Sequence, residues 1–261
     1  MQSIRLLVSL LIFLVAQNAI AEGRVISSLG RLEPENGVLH LAGPSGGGLT
    51  GAVLTSLAVA EGDWVDSGQV VARLDSYALR SAEVARLEAI LVNARSEMAR
   101  QQDLSNRKLT TGTAFEKAQM ELDIALANLA AAKASLELAV VRAPVRAQVL
   151  EIHAHPGERV GPEGVMDLGR TDRMYAVAEV YETDIAAVKV GQVAKIKTTA
   201  FEQELSGQVE RVALKVGRLD AIGADPIAKT DARVVEVFIL LDDGASVAGY
   251  TNMQVKVEIQ P

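Results

Sequence analysis

The chain of 261 residues contains no cysteine. Disulfide frameworks, thiolate metal sites and a cysteine nucleophile are thereby excluded. Aromatic residues amount to only 3%, which argues against the large mixed core of an α/β enzyme. Basic residues are outnumbered, 26 Lys and Arg against 33 Asp and Glu, giving a net charge of -7. A general nucleic-acid partner is not expected from that balance. Catalytic signatures are missing as well. Gly46-Gly47-Gly48 has no Gly-Lys-Ser/Thr after it and reads as a flexible turn rather than a phosphate loop. No G-x-S-x-G, H-E-x-x-H or paired-carboxylate pattern stands in a supporting context. The expectation is a protein that is not an enzyme and carries no cofactor.

What is present is aliphatic. Hydrophobic residues make up 49% of the chain, mostly Ala, Val and Leu, a composition suited to helical hairpins and small β-domains. The N-terminus places Arg5 before the apolar run Leu6–Ala16, then Gln17, Asn18 and Ala19-Ile20-Ala21. This pattern reads either as a secretory signal cleaved after Ala21 or as a retained N-terminal anchor. The run falls short of the roughly 20 apolar residues of a spanning helix. Either way the remainder is expected outside the cytoplasm. Cleavage would remove one arginine and no acid, moving the net charge from -7 to -8.

Composition then changes along the chain. Residues 24–75 alternate short Val/Leu runs with Gly, Asp and Pro, and read as β. Residues 76–140 hold one glycine, Gly112, and no proline, and are rich in Ala, Leu, Glu and Arg, so they read as helix. From Pro144 onward β-type alternation returns. In the helical block Phe115, Ala118, Leu122, Ala125, Leu129, Ala132, Leu136 and Ala139 recur at spacings of three and four, a heptad seam. A shorter seam runs through Val84, Leu87, Leu91, Ala94 and Met98. Between them Gly112 weakens the helix, and Thr113-Ala114-Phe115-Glu116 reads as a capping box for the second helix. The simplest structure is an antiparallel hairpin, with an arm on the order of 45 Å at 1.5 Å per residue.

The β-segments on either side echo each other. Val59-Ala60-Glu61-Gly62-Asp63-Trp64-Val65, then Gly68-Gln69-Val70-Val71, matches Ala154-His155-Pro156-Gly157-Glu158-Arg159-Val160, then Gly164-Val165-Met166. Neither half can close a core alone, so the two are expected to form one small sandwich with the hairpin inserted at its midpoint. Trp64 is expected in the core or at a domain junction.

Those residues carry a resemblance. Glu61-Gly-Asp-Trp-Val-Asp-Ser-Gly-Gln-Val, Arg142-Ala-Pro-Val and His155-Pro-Gly-Glu-Arg-Val resemble the two lipoyl-type half-motifs of the HlyD-type membrane fusion, or periplasmic adaptor, family. Gly30-Arg-Leu-Glu-Pro-Glu resembles the DevB-like branch that serves ABC exporters. Val190-Gly-Gln-Val-Ala-Lys-Ile, Leu205-Ser-Gly-Gln-Val-Glu-Arg-Val and Val235-Glu-Val-Phe-Ile-Leu-Leu-Asp-Asp-Gly resemble the family's barrel strands. Two departures stand out. Ala147-Gln148 replaces the usual Asp-Gly or Ser-Gly, and the chain after the barrel is short.

The resemblance implies a fold that is mainly β with an inserted coiled-coil hairpin. Residues 1–21 are the signal or anchor, 24–75 and 140–169 the split lipoyl-like domain with an N-terminal strand, 76–139 the hairpin and 170–261 a β-barrel. Barrel strands are expected at Met174–Val180, Val193–Thr199, Gln208–Val212, Arg233–Leu241 and Met253–Ile259, with a short helix at Asp184–Val188. The family resemblance also implies the role of an adaptor at the periplasmic face of the inner membrane. Its partners would be an ABC permease with its ATPase, an outer-membrane TolC-like duct, and further copies in a ring, usually of six. The rival expectation is an envelope coiled-coil scaffold tied to no exporter.

At the hairpin tip, family members resemble one another in an Arg, a Leu four later and a Ser seven after that. Arg100, Leu104 and Thr111 match this spacing, which implies docking on the duct. The plain alternative is a solvated charge at Arg100 and an ordinary cap at Thr111. A lipoyl-type carrier needs a lysine on its midpoint turn, and Lys108 lies outside any such β-turn. His153 and His155 alternate on an expected strand and so share a face. A metal there would lack an evident third ligand, because His40 is far off in sequence.

Overall fold

The computed structural model describes residues 24–42, 51–200, 203–218 and 233–261. The N-terminal segment 1–21 and Gly46–Gly48 lie outside them. The fold is mainly β with an inserted helical hairpin, a split lipoyl-like sandwich and a small barrel. The chain divides into two compact units. One joins the residues up to Glu35 to Thr171–Pro261, and the other is Asn36–Arg170.

Among the described residues, eleven strands and two α-helices follow in order: β1 Ile26–Leu41, β2 Leu54–Leu57, β3 Trp64–Val65, β4 Val70–Leu74, α1 Tyr77–Asn106, α2 Gly112–Glu137, β5 Val140–Arg142, β6 Ala147–Ile152, β7 Met166–Tyr181, β8 Val193–Lys197, β9 Leu205–Arg218, β10 Arg233–Leu241 and β11 Gln254–Ile259. A 3-10 turn at Ile185–Ala187 occupies the place of the expected short helix. No helix among the described residues is long and apolar enough to cross a membrane.

In the first unit, strand order β1-β11-β8-β9-β10-β7, with a further β1–β7 pairing, gives a ring-like sheet. Alternation supplies its core: Ala194 and Ile196 on β8, Val237 and Ile239 on β10, and Val255, Val257 and Ile259 on β11 all point inward with Leu32 and Met174. From the sequence, residues 24–35 are expected with the sandwich. The ladder pairing Ile26–Arg31 with Gln254–Ile259 puts them in the barrel instead.

In the second unit, sheet β2-β4-β5 faces the β3-β6-β7 ladder, and Leu54, Val71 and Val141 pack with Val65, Val149, Met166 and Leu168 between them. The two echoing halves fold alike. Glycines 62 and 157 both adopt positive φ, 88° and 95°, at the third position of their turns, as a type II turn requires. In one turn the Asp63 carboxylate accepts from the Ala60 amide, and in the other the Glu158 carboxylate accepts from the His155 amide, each at 2.8 Å. Each half also donates into the other. The Gly62 amide bonds Val149 O at 2.8 Å, and the Gly157 amide bonds Leu54 O at 2.7 Å.

Ala147-Gln148 makes no turn. Both residues are in β6, opposite Val65 and Trp64, and the chain bends just before them. Trp64 is 41% exposed with the Arg146 guanidinium over its ring, so it is not a core residue.

The hairpin springs from the sandwich at a clamped base. The Leu74 amide donates to Ala139 O at 3.0 Å, and Arg80 donates to Ser135 O. Val84, Leu87, Leu91, Ala125 and Leu129 are buried against one another, with Ala94, Leu122, Ala132 and Leu136 packed around them. Met98 and Phe115 are half-buried nearer the tip. Lys133 reaches across to Glu88 at 2.9 Å. The second helix starts earlier than the expected capping box. Its cap is Thr111, whose hydroxyl accepts from the Ala114 amide at 3.2 Å.

Candidate functional site

Three arrangements of polar side chains stand out, one in the barrel and two in the sandwich–hairpin unit.

In the barrel, the segment Gly30-Arg31-Leu32-Glu33-Pro34-Glu35 makes structural use of most of its residues. A Cβ on Gly30 would stand 2.4 Å from Val177 O, so no side chain fits there. Leu32 is fully buried. Arg31 bonds three carboxylates, Glu33 at 2.5 Å, Glu236 at 2.8 Å and Glu179 at 3.0 Å, and Glu179 is only 3% exposed. Burial works against the guanidinium charge, but the bonds to Glu236 and Glu33 outweigh it and raise the Arg31 pKa above its ordinary value. A buried Glu requires such a partner. Glu35 is paired with Arg173 at 3.1 Å. This arrangement anchors strands, its charges paired with one another.

At the hairpin tip, Arg100 is exposed and pairs with Glu97 at 2.7 Å, one turn back on its own helix. Leu104 is half-buried, and its carbonyl accepts from the Leu109 amide at 2.8 Å. Thr111 is exposed and acts as the helix cap. The turn is held by Thr110 donating to the Gln101 side chain at 2.7 Å and by Lys108 at φ 58°. Leu109 projects at 69% exposure. The sequence motif missed Leu109, although an exposed Leu at a turn is itself a signal.

The third arrangement changes the expectation about histidines. His155 begins the exposed turn beyond β6 and does not join His153. His40 does, across the sandwich. Its Nδ1 lies 2.7 Å from Asp167 Oδ1, and His153 Nε2 lies 3.0 Å from the same oxygen. The Asp167 bond holds the His153 pKa above its usual value despite the opposing effect of burial.

No family model matches the chain. Solved structures do. The chain aligns over 91% of its length, and 82% of the other, with a MacA-MexA chimeric protein containing the Pseudomonas aeruginosa MexA alpha-hairpin domain, at a TM-score of 0.71 and 16% identity. The chain shares that protein's fold. It also aligns over 91% of its length with 98% of the membrane fusion protein Spr0693 from Streptococcus pneumoniae, at a TM-score of 0.54 and 16% identity. A putative efflux transporter from Bacteroides eggerthii aligns with 90% of this chain over 68% of its own, at a TM-score of 0.57 and 17% identity.

Proposed function

We propose that the chain is a periplasmic adaptor, or membrane fusion, subunit of an export complex. The observation that carries this reading is the arm. Helices of 30 and 26 residues form a hairpin inserted between the halves of a small sandwich, in a fold shared with a protein that contains the MexA hairpin domain. An arm on the order of 45 Å, built on an aliphatic seam, is suited to reaching another protein.

The finer reading follows from the sequence resemblance. The N-terminal signal or anchor puts the chain in the periplasm at the inner membrane. An ABC permease and its ATPase supply the work, and the Gly30–Glu35 segment favours the DevB-like branch. Copies assemble in a ring, for which the family number is six. Met120 and Ile124, each about half exposed on the helix face away from the seam, suit contact with a neighbouring arm. The permease changes shape on binding ATP, and the adaptor relays that change and seals the path.

The tip docks on an outer-membrane TolC-like duct. Arg100 leaves Glu97 for a carboxylate or carbonyl of the duct, Leu104 adds apolar contact, and the Thr111 hydroxyl, while still capping its helix, donates a hydrogen bond.

The test combines co-purification from membranes with a photo-crosslinking residue placed at the tip. Capture of a permease, its ATPase and a duct is the expected result. Capture of none of them refutes the adaptor reading and leaves an envelope scaffold. Within that experiment Arg100→Glu abolishes duct crosslinking and export while folding changes by no more than about 0.5 kcal/mol. Arg86→Glu, low on the same helix, leaves both intact. Normal export and crosslinking by Arg100→Glu defeats the tip assignment.

A further inference from the structure

We infer that His40, His153 and Asp167 form a binding site for a divalent transition cation of the Zn²⁺ type. Among the described residues they are the cluster whose ligand atoms fit such an ion, with all three atoms within 4.8 Å of one another.

The site is built by the backbone. His40 is near the end of β1, His153 directly follows β6, and Asp167 is the second residue of β7. One residue, Val165, ties the three segments together. The Val165 amide donates to Leu41 O at 2.9 Å, and the Val165 carbonyl accepts from the His153 amide at 2.9 Å. In the β6–β7 ladder Glu151 stands opposite Asp167. The three side chains are thus brought together by strand pairing, from positions more than a hundred residues apart in the case of His40 and the other two.

The donor set is two imidazoles and one carboxylate, which suits zinc and its neighbours rather than magnesium or calcium. Bonds of about 2.0–2.1 Å in a tetrahedron put ligand atoms about 3.3 Å apart. Asp167 Oδ1 now lies 2.7 Å from His40 Nδ1 and 3.0 Å from His153 Nε2, so a small side-chain rotation opens room for the ion. Asp167 and His153 form the sheltered wall, at 12% and 14% side-chain exposure, while His40 is 70% exposed. Three protein ligands with one open side leave a position for water or for a group from a passing molecule.

The surroundings agree. His153 ligates through Nε2, and its other nitrogen, Nδ1, faces the Glu151 carboxylate at 4.0 Å. At that distance the carboxylate contributes negative charge to the site and not the hydrogen bond that commonly orients a metal-bound imidazole. Glu163 adds a further negative charge felt at His153.

The experiment uses the full chain, purified in chelator and then titrated calorimetrically with Zn²⁺, and separately with Co²⁺ followed by its visible absorption. Expected are one Zn²⁺ per chain, a Co²⁺ spectrum of low coordination number, and a rise in melting temperature, since the ion crosslinks three strands. His40→Ala, at an exposed side chain whose removal leaves the fold intact, weakens binding at least tenfold. His153→Ala and Asp167→Asn do the same, and Glu151→Gln, which removes only a nearby exposed charge, weakens it less than any of the three ligand substitutions. His155→Ala leaves it unchanged. The inference is overturned if Zn²⁺ binding is absent from the wild-type chain, if it survives in a His40→Ala/His153→Ala protein, or if Mg²⁺ competes at equal concentration, which would mark a plain acidic surface.

Discussion

Replacing Leu129 by Asp tests whether the arm stands on its seam. Leu129 is 8% exposed and touches the cluster of Val84, Leu87, Leu91 and Ala125. Losing its apolar burial costs about 1.5–3 kcal/mol. Setting a carboxylate among those aliphatic groups costs about 1–3 kcal/mol more, lowered by Lys133 one turn away. The expected loss is about 3 kcal/mol. Two helices of 30 and 26 residues, at roughly 0.05–0.15 kcal/mol per residue, hold about 3–8 kcal/mol in all, so the substitution brings the arm to the edge of melting. Helical ellipticity is a clean assay, because α1 and α2 are the α-helices among the described residues. Leu126→Asp, one turn away at 41% exposure, is the internal control and changes stability by no more than about 0.5 kcal/mol. Equal losses from the two substitutions, or an unchanged urea midpoint for Leu129→Asp, would refute the seam as the source of the arm's stability.

Arg31→Met strips three carboxylates of their guanidinium. The buried-pair cost of about 3–5 kcal/mol is reduced because the Arg31 side chain is 31% exposed, leaving about 2–3 kcal/mol. A second substitution, Glu179→Gln, recovers part of it in a double-mutant cycle, and additive losses would show that the two are not coupled. Tyr175 offers a pH readout. Burial, then its hydrogen bond to Glu210, pushes its hydroxyl up to about 12. A raised phenol favours the neutral form in the folded chain. Its contribution to stability is therefore full below about pH 10, the unfolded value, and is lost as the pH climbs towards 12. In an alkaline absorbance titration Tyr175→Phe removes the step of highest pH. Persistence of that step would assign it to another tyrosine.

The hairpin was legible because its signals are local. A period of three and four, one glycine and no proline over 76–140 describe two helices without reference to anything else. Its cap was displaced from Thr113 to Thr111, since the backbone chose the hydroxyl that meets the Ala114 amide. The duplicated turns were legible too, because positive φ at Gly62 and Gly157 demands glycine at matching places. Long strands were less so. β9 runs on to Arg218, beyond the expected end at Val212, through residues paired with β10 whose alternating apolar side chains, Leu214 and Val216, stay exposed and join no core. β7 begins at Met166, eight residues before the expected start, because Arg170, Asp172 and Arg173 interrupt the apolar pattern but not the strand, which passes from pairing with β6 to pairing with β10. β1 continues through Asn36 and Gly37, whose positive φ values mark a local irregularity within the strand. His40 could not be joined to His153 from the sequence, since that meeting depends on the register of strands from three distant segments.

The clamped base of the arm, where Leu74 meets Ala139 and Arg80 meets Ser135, has a consequence for how such a chain can vary. The sandwich registers only the two points at which the arm leaves and returns. Adding one heptad to each helix keeps the seam in phase and moves the tip outward by about 10.5 Å. Removing one draws it in by as much, and neither change disturbs a residue below the clamp. Arm length is thus a ruler graduated in heptads, which a lineage can reset to match the gap it has to bridge. An insertion that is not a whole number of heptads rotates the tip relative to the base, and so alters which side chains it presents.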